Sequence, residues 1–191
     1  MSNKPLYQST HKDGSIEVIF GPMFSSKTST LLKRYRKYKL LNKKCLLIKY
    51  SNDTRYNKTG ISTHDLNVQQ NDVVQSNNRL FDLKEECEKV DMIGIDEGQF
   101  YSDIVEFCDY FANLGKIVVV AALDGNFLRE PFNDILRLIP ISEKIRKKSA
   151  VCGVCKDKYA SFTMKKIKDD GNIEVIGGSD IYSPVCRNCY Q

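Results

Sequence analysis

Three groups of residues in this 191-residue chain have the types and spacing of chemical sites. The first is GPMFSSKTS, residues 21–29, in which Gly21, Lys27 and Thr28 fall at the offsets of a phosphate-binding loop. The second is the adjacent acidic pair Asp96 and Glu97, and the third is a set of two C-x-x-C pairs near the C-terminus. The first two groups predict phosphate chemistry, and the third predicts a metal site.

The loop has one substitution relative to the motif, because Ser26 stands where the second glycine is expected. Successive backbone N–H groups of such a loop bind phosphate, with help from the dipole of the following helix. Lys27 is expected to reach the β- and γ-phosphates, and the Thr28 hydroxyl to ligate Mg²⁺. A positive φ at Ser26 would cost about 1–2 kcal/mol, which a folded domain can absorb. A chance Ser-Lys-Thr at a helix start is the alternative.

The acidic pair lies in VDMIGIDEGQF, residues 90–100, where apolar residues lead directly to Asp96. This pattern is typical of a buried parallel strand that ends in a metal-organising aspartate. Glu97 follows at once, so one acid can serve Mg²⁺ while the other accepts the proton of a nucleophile. A plain hydrophilic strand end is the alternative, but two phosphate motifs in one chain favour nucleotide binding.

The C-x-x-C pairs supply four thiolates, the ligand set of a structural tetrahedral zinc: Cys152, Cys155, Cys186 and Cys189. Residues 156–185 separate the pairs by more than the usual 15 to 20 positions, so we expect a segment to loop out between them. Disulfides are the alternative, which the lack of a secretion signal disfavours. The remaining cysteines are expected to be buried or idle thiols: Cys45, Cys87 and Cys108.

The elements that must position these residues alternate between strands and helices. SIEVIFG predicts a strand that stops at Gly21, and further strands are predicted at Cys45 to Tyr50 and in GKIVVVAALDGNF. Helical stretches are predicted around residues 28–43, 100–114 and 132–138. In the first of them, the apolar face is expected to comprise Leu31, Leu32, Tyr35, Tyr38 and Leu41. The alternation predicts an α/β fold with a mostly parallel sheet flanked by helices and ligands at its carboxyl edge.

The composition along the chain predicts how the protein is divided into domains and what kind of ligand it binds. Residues 1–15 are polar, lack a signal-peptide core and predict a flexible arm on a cytoplasmic protein. We expect a P-loop nucleotide-binding domain over residues 16–150 and a small zinc-binding domain over residues 151–191. The net charge of +5 suits an anionic ligand, and the basic helix is interpreted as a solvated face.

Taken together, these residues resemble the thymidine kinases of the zinc-containing cytosolic and poxviral type. The resemblance covers almost the whole chain, through the strings GPMFSSKTS, KCLLIKYSNDTRY, THD, IGIDEGQFYSDIVEFC, GKIVVVAALDGNF, AVC and EVIGGSDIYSPVCRNC. It implies transfer of the γ-phosphoryl group of ATP to the 5′-hydroxyl of thymidine or deoxyuridine with Mg²⁺, by homotetramers that thymidine triphosphate (dTTP) inhibits. Ser26 departs from the family, which has glycine there.

The resemblance also implies roles for individual residues, with Glu97 as the catalytic base and Asp96 as the metal-organising acid. The implied ATP site comprises Gly21, Pro22, Met23, Phe24, Ser25, Ser26, Lys27, Thr28, Asp53, Thr54, Arg55, Asp96, Gly98 and Gln99. The implied thymidine site comprises Met23, Phe100, Leu123, Phe127, Thr163, Ile173, Glu174, Val175, Ile176, Gly177 and Tyr182. Phe127 is implied to pack on thymine, while residues 173–177 and Tyr182 form a lasso that closes over the nucleoside and that zinc anchors at both ends.

Two alternatives come from other classes of protein. A zinc-ribbon P-loop ATPase would bind nucleic acid through the basic helix, and its binding would depend strongly on salt. An inactive relative would bind nucleotide only as a scaffold, although Lys27, Thr28, Asp96 and Glu97 are all present together.

Overall fold

The computed structural model describes residues 13–53, 60–62, 68–166 and 177–190. Its strands are β1 (Ser15–Phe20), β2 (Cys45–Tyr50), β3 (Ile61–Ser62), β4 (Val68–Gln69), β5 (Val73–Ser76), β6 (Met92–Ile95), β7 (Ile117–Ala122), β8 (Lys144–Lys147), β9 (Ala150–Val151), β10 (Tyr159–Ala160), β11 (Phe162–Lys165) and β12 (Tyr182–Val185). Its α-helices are α1 (Lys27–Leu40), α2 (Lys84–Glu88) and α3 (Ile104–Asn113), and 3₁₀ turns cover Leu80–Leu83, Gly98–Phe100, Asn133–Ile141 and Arg187–Cys189. None of the helices in these ranges is both long and apolar enough to cross a membrane.

The main sheet has six strands in the order β5-β2-β6-β7-β1-β8, and every pairing in it is parallel. Parallel strands expose their carboxyl ends at one edge, which is where ligands bind in open α/β sheets. The predicted α/β fold is therefore confirmed, as are the strands at residues 15–20 and 45–50.

The two faces of the sheet bury different helices. Successive strand residues point to opposite faces, so Ile19 packs with Leu31 and Leu32 of α1, while Val18 packs with the aromatic residues of α3. These two apolar layers fix α1 on one side of the sheet and α3 on the other.

Helix boundaries differ from the sequence prediction in three places. Helix α1 ends at Leu40, and Leu41 is 58% exposed, so the prediction that Leu41 lies on the buried face is wrong. The stretch predicted at residues 100–114 is helical only from Ile104. The stretch predicted at residues 132–138 is a 3₁₀ turn that contains Pro140, whose ring nitrogen has no hydrogen to donate to a regular α-helix.

A buried carboxylate ties α1 to the sheet. Glu17 of β1 is 8% exposed and accepts hydrogen bonds from Arg34 at 2.8 and 3.0 Å and from Arg146 Nε at 2.8 Å. Burial opposes the charge of this carboxylate, but the hydrogen bonds from Arg34 and Arg146 outweigh it and lower the pKa of Glu17. One side chain thereby links β1, α1 and β8.

The C-terminal lobe, residues 150–166 and 177–190, has a small core of its own. Two antiparallel pairs, β9 with β10 and β11 with β12, build it. The buried residues of this apolar core are Ala150, Cys152, Ala160, Val185 and Cys186. Phe24, from the loop between β1 and α1, packs against this core, so the lobe contacts the candidate phosphate site.

Candidate active site

The loop between β1 and α1, residues 21–26, begins at a position that accepts only glycine. Gly21 has a φ of +149°, and a Cβ there would lie 2.6 Å from the Lys148 carbonyl oxygen and 2.7 Å from Ser25 Oγ. Ser25 Oγ in turn donates a hydrogen bond to the Pro22 carbonyl at 2.8 Å. The loop is therefore closely folded against the end of β8.

Ser26 has the left-handed conformation that the motif reserves for glycine, with a φ of 58° and a ψ of 37°. Its carbonyl accepts hydrogen bonds from the backbone N–H and the hydroxyl of Thr30, at 3.1 and 2.8 Å, which start α1. Phe24 is also left-handed, with a φ of 64°. The expectation of a positive φ at Ser26 is confirmed.

The loop and the acidic strand end meet through their side chains. Thr28 Oγ1 donates a hydrogen bond to Asp96 Oδ1 at 3.1 Å, across 68 positions of sequence. Lys27 Nζ donates to the Pro22 carbonyl at 2.8 Å, so its ammonium group lies over the loop. A hydroxyl beside a carboxylate is an oxygen donor set that suits Mg²⁺.

Glu97 follows Asp96 at the carboxyl end of β6 and is itself left-handed, with a φ of 52° and a ψ of 44°. Such a conformation costs a non-glycine residue free energy, and strained residues of this kind cluster at functional sites. The next residue, Gly98, packs so tightly that a Cβ would lie 2.5 Å from Val120 Cγ1. Gln99 is 1% exposed and contacts Glu97 and Leu123.

Tyr101 adds a polar group that sequence analysis missed. Its ring is 1% exposed, and its hydroxyl has no hydrogen-bond partner within the described ranges. Burial, together with the negative charges of Asp96 and Glu97, raises the pKa of Tyr101 well above its ordinary value. The phenol therefore stays protonated and is a neutral donor beside the acidic pair.

Asp53, implied for the ATP site, and Phe100, implied for the thymidine site, both lie near Tyr50, the last residue of β2. The Asp53 N–H donates to the Tyr50 carbonyl at 3.1 Å, and the Phe100 ring stacks on the Tyr50 ring with centroids 4.7 Å apart. Thr54 and Arg55 lie outside the described residues.

The C-terminal lobe reaches the phosphate loop through Thr163. This residue is 5% exposed, and its hydroxyl accepts a hydrogen bond from the backbone N–H of Met23 at 3.0 Å. Met23 is itself 7% exposed. Two residues that the family resemblance implies for the thymidine pocket are therefore in direct contact.

The same lobe also holds the loop after β7, which carries Phe127. The Tyr190 hydroxyl donates a hydrogen bond to the Phe127 carbonyl, and the Arg129 guanidinium lies 4.2 Å from the centre of the Tyr190 ring. Lys165 Nζ lies 5.1 Å from the centre of the Phe127 ring. We call Tyr190 and Arg129 the lobe clamp. The clamp was not predicted from the sequence, whose one signal for it is the aromatic residue directly after Cys189.

The lasso is only partly described. Tyr182 lies on β12, opposite Lys165 of β11, and is 6% exposed, and Gly177 is buried against Ile181. The other implied lasso residues lie outside the described ranges: Ile173, Glu174, Val175 and Ile176.

The four cysteines of the two C-x-x-C pairs form one cluster in which all Sγ atoms lie within 4.8 Å of one another. Cys155 Sγ and Cys186 Sγ are 4.0 Å apart, close to the roughly 3.8 Å edge of a tetrahedron with Zn–S bonds of 2.3 Å. All four are free thiols rather than disulfides. The donor set fits zinc and leaves no open coordination position.

Backbone amides favour a thiolate in this cluster. Burial alone would raise the pKa of Cys152, but hydrogen bonds from the N–H groups of Cys186, Cys155 and Val154 bring it down to about 6. The N–H of Cys186 lies 3.3 Å from Cys152 Sγ. A thiolate is the form that binds a metal.

The other three cysteines are buried in the apolar layers, as predicted: Cys45, Cys87 and Cys108. Burial raises the pKa of Cys45 to about 11 and that of Cys87 to about 12. These thiols are therefore unreactive at neutral pH.

The basic face of α1 is partly neutralised by the protein itself. Arg34 pairs with Glu17 at 2.8 Å, and Lys39 pairs with Asp72 at 2.9 Å. This pairing favours the interpretation of α1 as a solvated face over its interpretation as a nucleic-acid surface.

Comparison with known proteins agrees with this geometry. The family model described as thymidine kinase matches residues 14–190. The thymidine kinases of vaccinia virus (strain Western Reserve), monkeypox virus and variola virus are each 52% identical to this chain over 177 residues. These matches cover 93% of this chain and 97% of each relative.

Proposed function

The chain belongs to the thymidine kinase family, and we propose that it transfers the γ-phosphoryl group of ATP to the 5′-hydroxyl of thymidine or deoxyuridine, with Glu97 as the general base. One observation carries the proposal: the phosphate loop and the acidic strand end form one site, since Thr28 donates to Asp96 at 3.1 Å. Glu97, the proton acceptor of the proposal, directly follows Asp96 in the chain.

The loop residues bind the triphosphate of ATP. Backbone N–H groups where the loop enters α1, and the positive end of that helix, offer hydrogen bonds and a favourable dipole to phosphate oxygens. Lys27 supplies a positive charge that offsets the negative charge of the transferring group. Arg55, which the family resemblance also implies, would add a second positive charge.

Thr28 and Asp96 are the residues that would hold Mg²⁺. When bound, the ion neutralises charge on the phosphates and orients them for in-line transfer. The remaining chemistry belongs to the protein and the substrates. The 5′-oxygen forms a bond to the γ-phosphorus as the bond from that phosphorus to the bridging oxygen of ADP breaks.

Glu97 takes the proton that the 5′-hydroxyl loses in this step. A neutral hydroxyl is a poor nucleophile, and the acceptor must lie within hydrogen-bond reach of it. Glu97 has a left-handed backbone, a strained conformation of the kind that clusters at functional sites.

Thymidine binds between the sheet edge and the C-terminal lobe. Phe127 packs on the thymine ring, while Met23, Phe100, Leu123 and Thr163 surround it. The lasso that the family resemblance implies, residues 173–177 with Tyr182, would contact the nucleoside. The Met23–Thr163 hydrogen bond and the contact of Tyr190 with Phe127 support this arrangement, because both join the two sides of the pocket.

Zinc holds the lobe that carries these contacts. Cys152, Cys155, Cys186 and Cys189 would bind it, and the bound metal stabilises a lobe whose own core is small. The family resemblance further supports a homotetramer whose activity dTTP inhibits.

The assay that tests the proposal follows ADP release with thymidine, deoxyuridine, deoxycytidine or no acceptor. Thymidine and deoxyuridine should support turnover well above the acceptor-free rate. ADP release at the same rate with and without nucleoside would contradict the proposal and favour a simple ATPase. A mass measurement in solution tests whether the chain forms a tetramer. The ADP-release assay with and without dTTP tests the inhibition.

A further inference from the structure

Gln99 is a buried polar residue whose side-chain amide bridges two parts of the site. Its Nε2 donates a hydrogen bond to Glu97 Oε2 at 2.6 Å, and its Oε1 accepts one from the Leu123 N–H at 3.0 Å. The residue is 1% exposed, and its backbone carbonyl accepts a hydrogen bond from Asn133 Nδ2 at 3.0 Å. Gln99 is therefore fixed at both its main chain and its side chain.

The orientation of the amide follows from its partners. The Leu123 N–H can only donate, so it must face the carbonyl oxygen of Gln99. The NH₂ group of Gln99 is then directed at Glu97, which as a carboxylate can only accept. A hydrogen bond to a charged acceptor is stronger than one between neutral groups. The contact therefore restricts where the Glu97 carboxylate lies.

A general base needs this restriction. Proton transfer requires the acceptor atom within about 2.6–3.2 Å of the donor, and a shift of 1 Å can cost about 10²-fold in rate. Glu97 directly precedes the 3₁₀ turn Gly98–Phe100 and has a left-handed backbone. The main-chain conformation alone does not fix where its carboxylate lies. A buried partner that holds one carboxylate oxygen adds a constraint of this kind.

We propose that Gln99 is a positioning residue for Glu97 and does not bind the phosphates of ATP. Its amide aligns the catalytic carboxylate with the strand end at Leu123, which lies at the thymine ring in the proposed function. This inference rests on that proposed function. It differs from the role in ATP binding that the family resemblance implies for Gln99.

The test combines Gln99→Leu with Glu97→Gln in a double-mutant cycle, measured with ATP and thymidine. Gln99→Leu removes both hydrogen-bonding groups and keeps similar bulk. We expect it to lower kcat by roughly 10-fold to 10²-fold while the Kd of ATP stays within about threefold. In the Glu97→Gln background the same change should have little further effect, because residues that act as a unit are not additive.

A second variant and a control separate the loss of positioning from general damage to the fold. Gln99→Met is a second variant, in case Gln99→Leu fails to fold. The control, Ile16→Val, changes a residue that is 1% exposed and lies at the end of β1 away from the phosphate loop. It should lower the melting temperature with kcat unchanged.

Several results would overturn the inference. An unchanged kcat in Gln99→Leu would do so, as would an equal loss of kcat in both backgrounds. A weakened ATP affinity with kcat retained would return Gln99 to the ATP site. Failure of the underlying proposal is a distinct result, because the wild-type protein would then show no thymidine-dependent ADP release at all.

Discussion

Ser26 has a backbone conformation that suits glycine better than serine. Its φ is 58°, and its side chain is exposed. We predict that Ser26→Gly relieves about 1 kcal/mol of backbone strain, raises the melting temperature by about 2–4 °C and lowers the Michaelis constant for ATP. Thermal melts and steady-state kinetics measure both effects. Loss of activity in this variant would show that the serine side chain has a purpose of its own.

A second prediction at the scale of one residue concerns Glu17 and its contribution to stability, which depends on pH. Glu17→Gln should lower the free energy of unfolding at pH 7 by up to about 3–5 kcal/mol, because Arg34 and Arg146 lose their buried counter-charge.

The sign of its pH dependence follows from the lowered pKa of Glu17. A carboxyl group with a lowered pKa contributes its full stability above its usual value of 4.5 and loses that contribution as pH falls through the folded-state pKa. Urea unfolding of both proteins from pH 7 to pH 3 should therefore show the difference shrinking at acid pH. A difference that stays constant over this range would contradict the assignment.

At the scale of elements, the lobe clamp connects the C-terminal lobe to the loop that carries Phe127. Tyr190→Phe removes the hydroxyl that donates to the Phe127 carbonyl but keeps the ring beneath Arg129. One hydrogen bond contributes about 0.5–1.5 kcal/mol, so the Michaelis constant for thymidine should rise about 2- to 10-fold with kcat nearly unchanged.

The matched control for this prediction is Tyr159→Phe. Tyr159 lies in the same lobe and is 80% exposed, so its hydroxyl can bond to water and the variant should behave like the wild type. An effect confined to ATP, or equal effects of the two variants on thymidine, would show that the clamp does not position the pocket.

The elements that sequence analysis predicted are those with local signals. The phosphate loop and the C-x-x-C pairs have fixed spacings, and the strands at residues 15–20 and 45–50 are continuous apolar runs. Contacts between distant residues have no such signal: the hydroxyl of Tyr190 and the carbonyl of Phe127 are 63 positions apart. Leu41 illustrates the opposite error, since its spacing fits the helix but α1 ends before it.

At the scale of the whole molecule, zinc should stabilise the lobe and the nucleoside pocket together. We predict about one zinc per chain by elemental analysis. Its removal by a chelator should lower the melting temperature and weaken thymidine binding, because the lobe contacts both Met23 and Phe127.

A matched pair of variants checks this prediction without a chelator. Cys155→Ser should lose zinc and thymidine affinity, whereas Cys45→Ser, in the apolar layer beneath α1, should retain both. A metal-free wild-type protein with two disulfides, or a chelated protein with undiminished thymidine affinity, would refute the coupling.

Glu97→Gln tests the central claim most directly, since it removes the proposed base while keeping the shape of the side chain. Thymidine and ATP binding should be retained, and kcat should fall by at least about 10²-fold, the lower end for general base catalysis. Binding is measured by calorimetry and turnover by ADP release. A Glu97→Gln enzyme with full turnover would contradict the account.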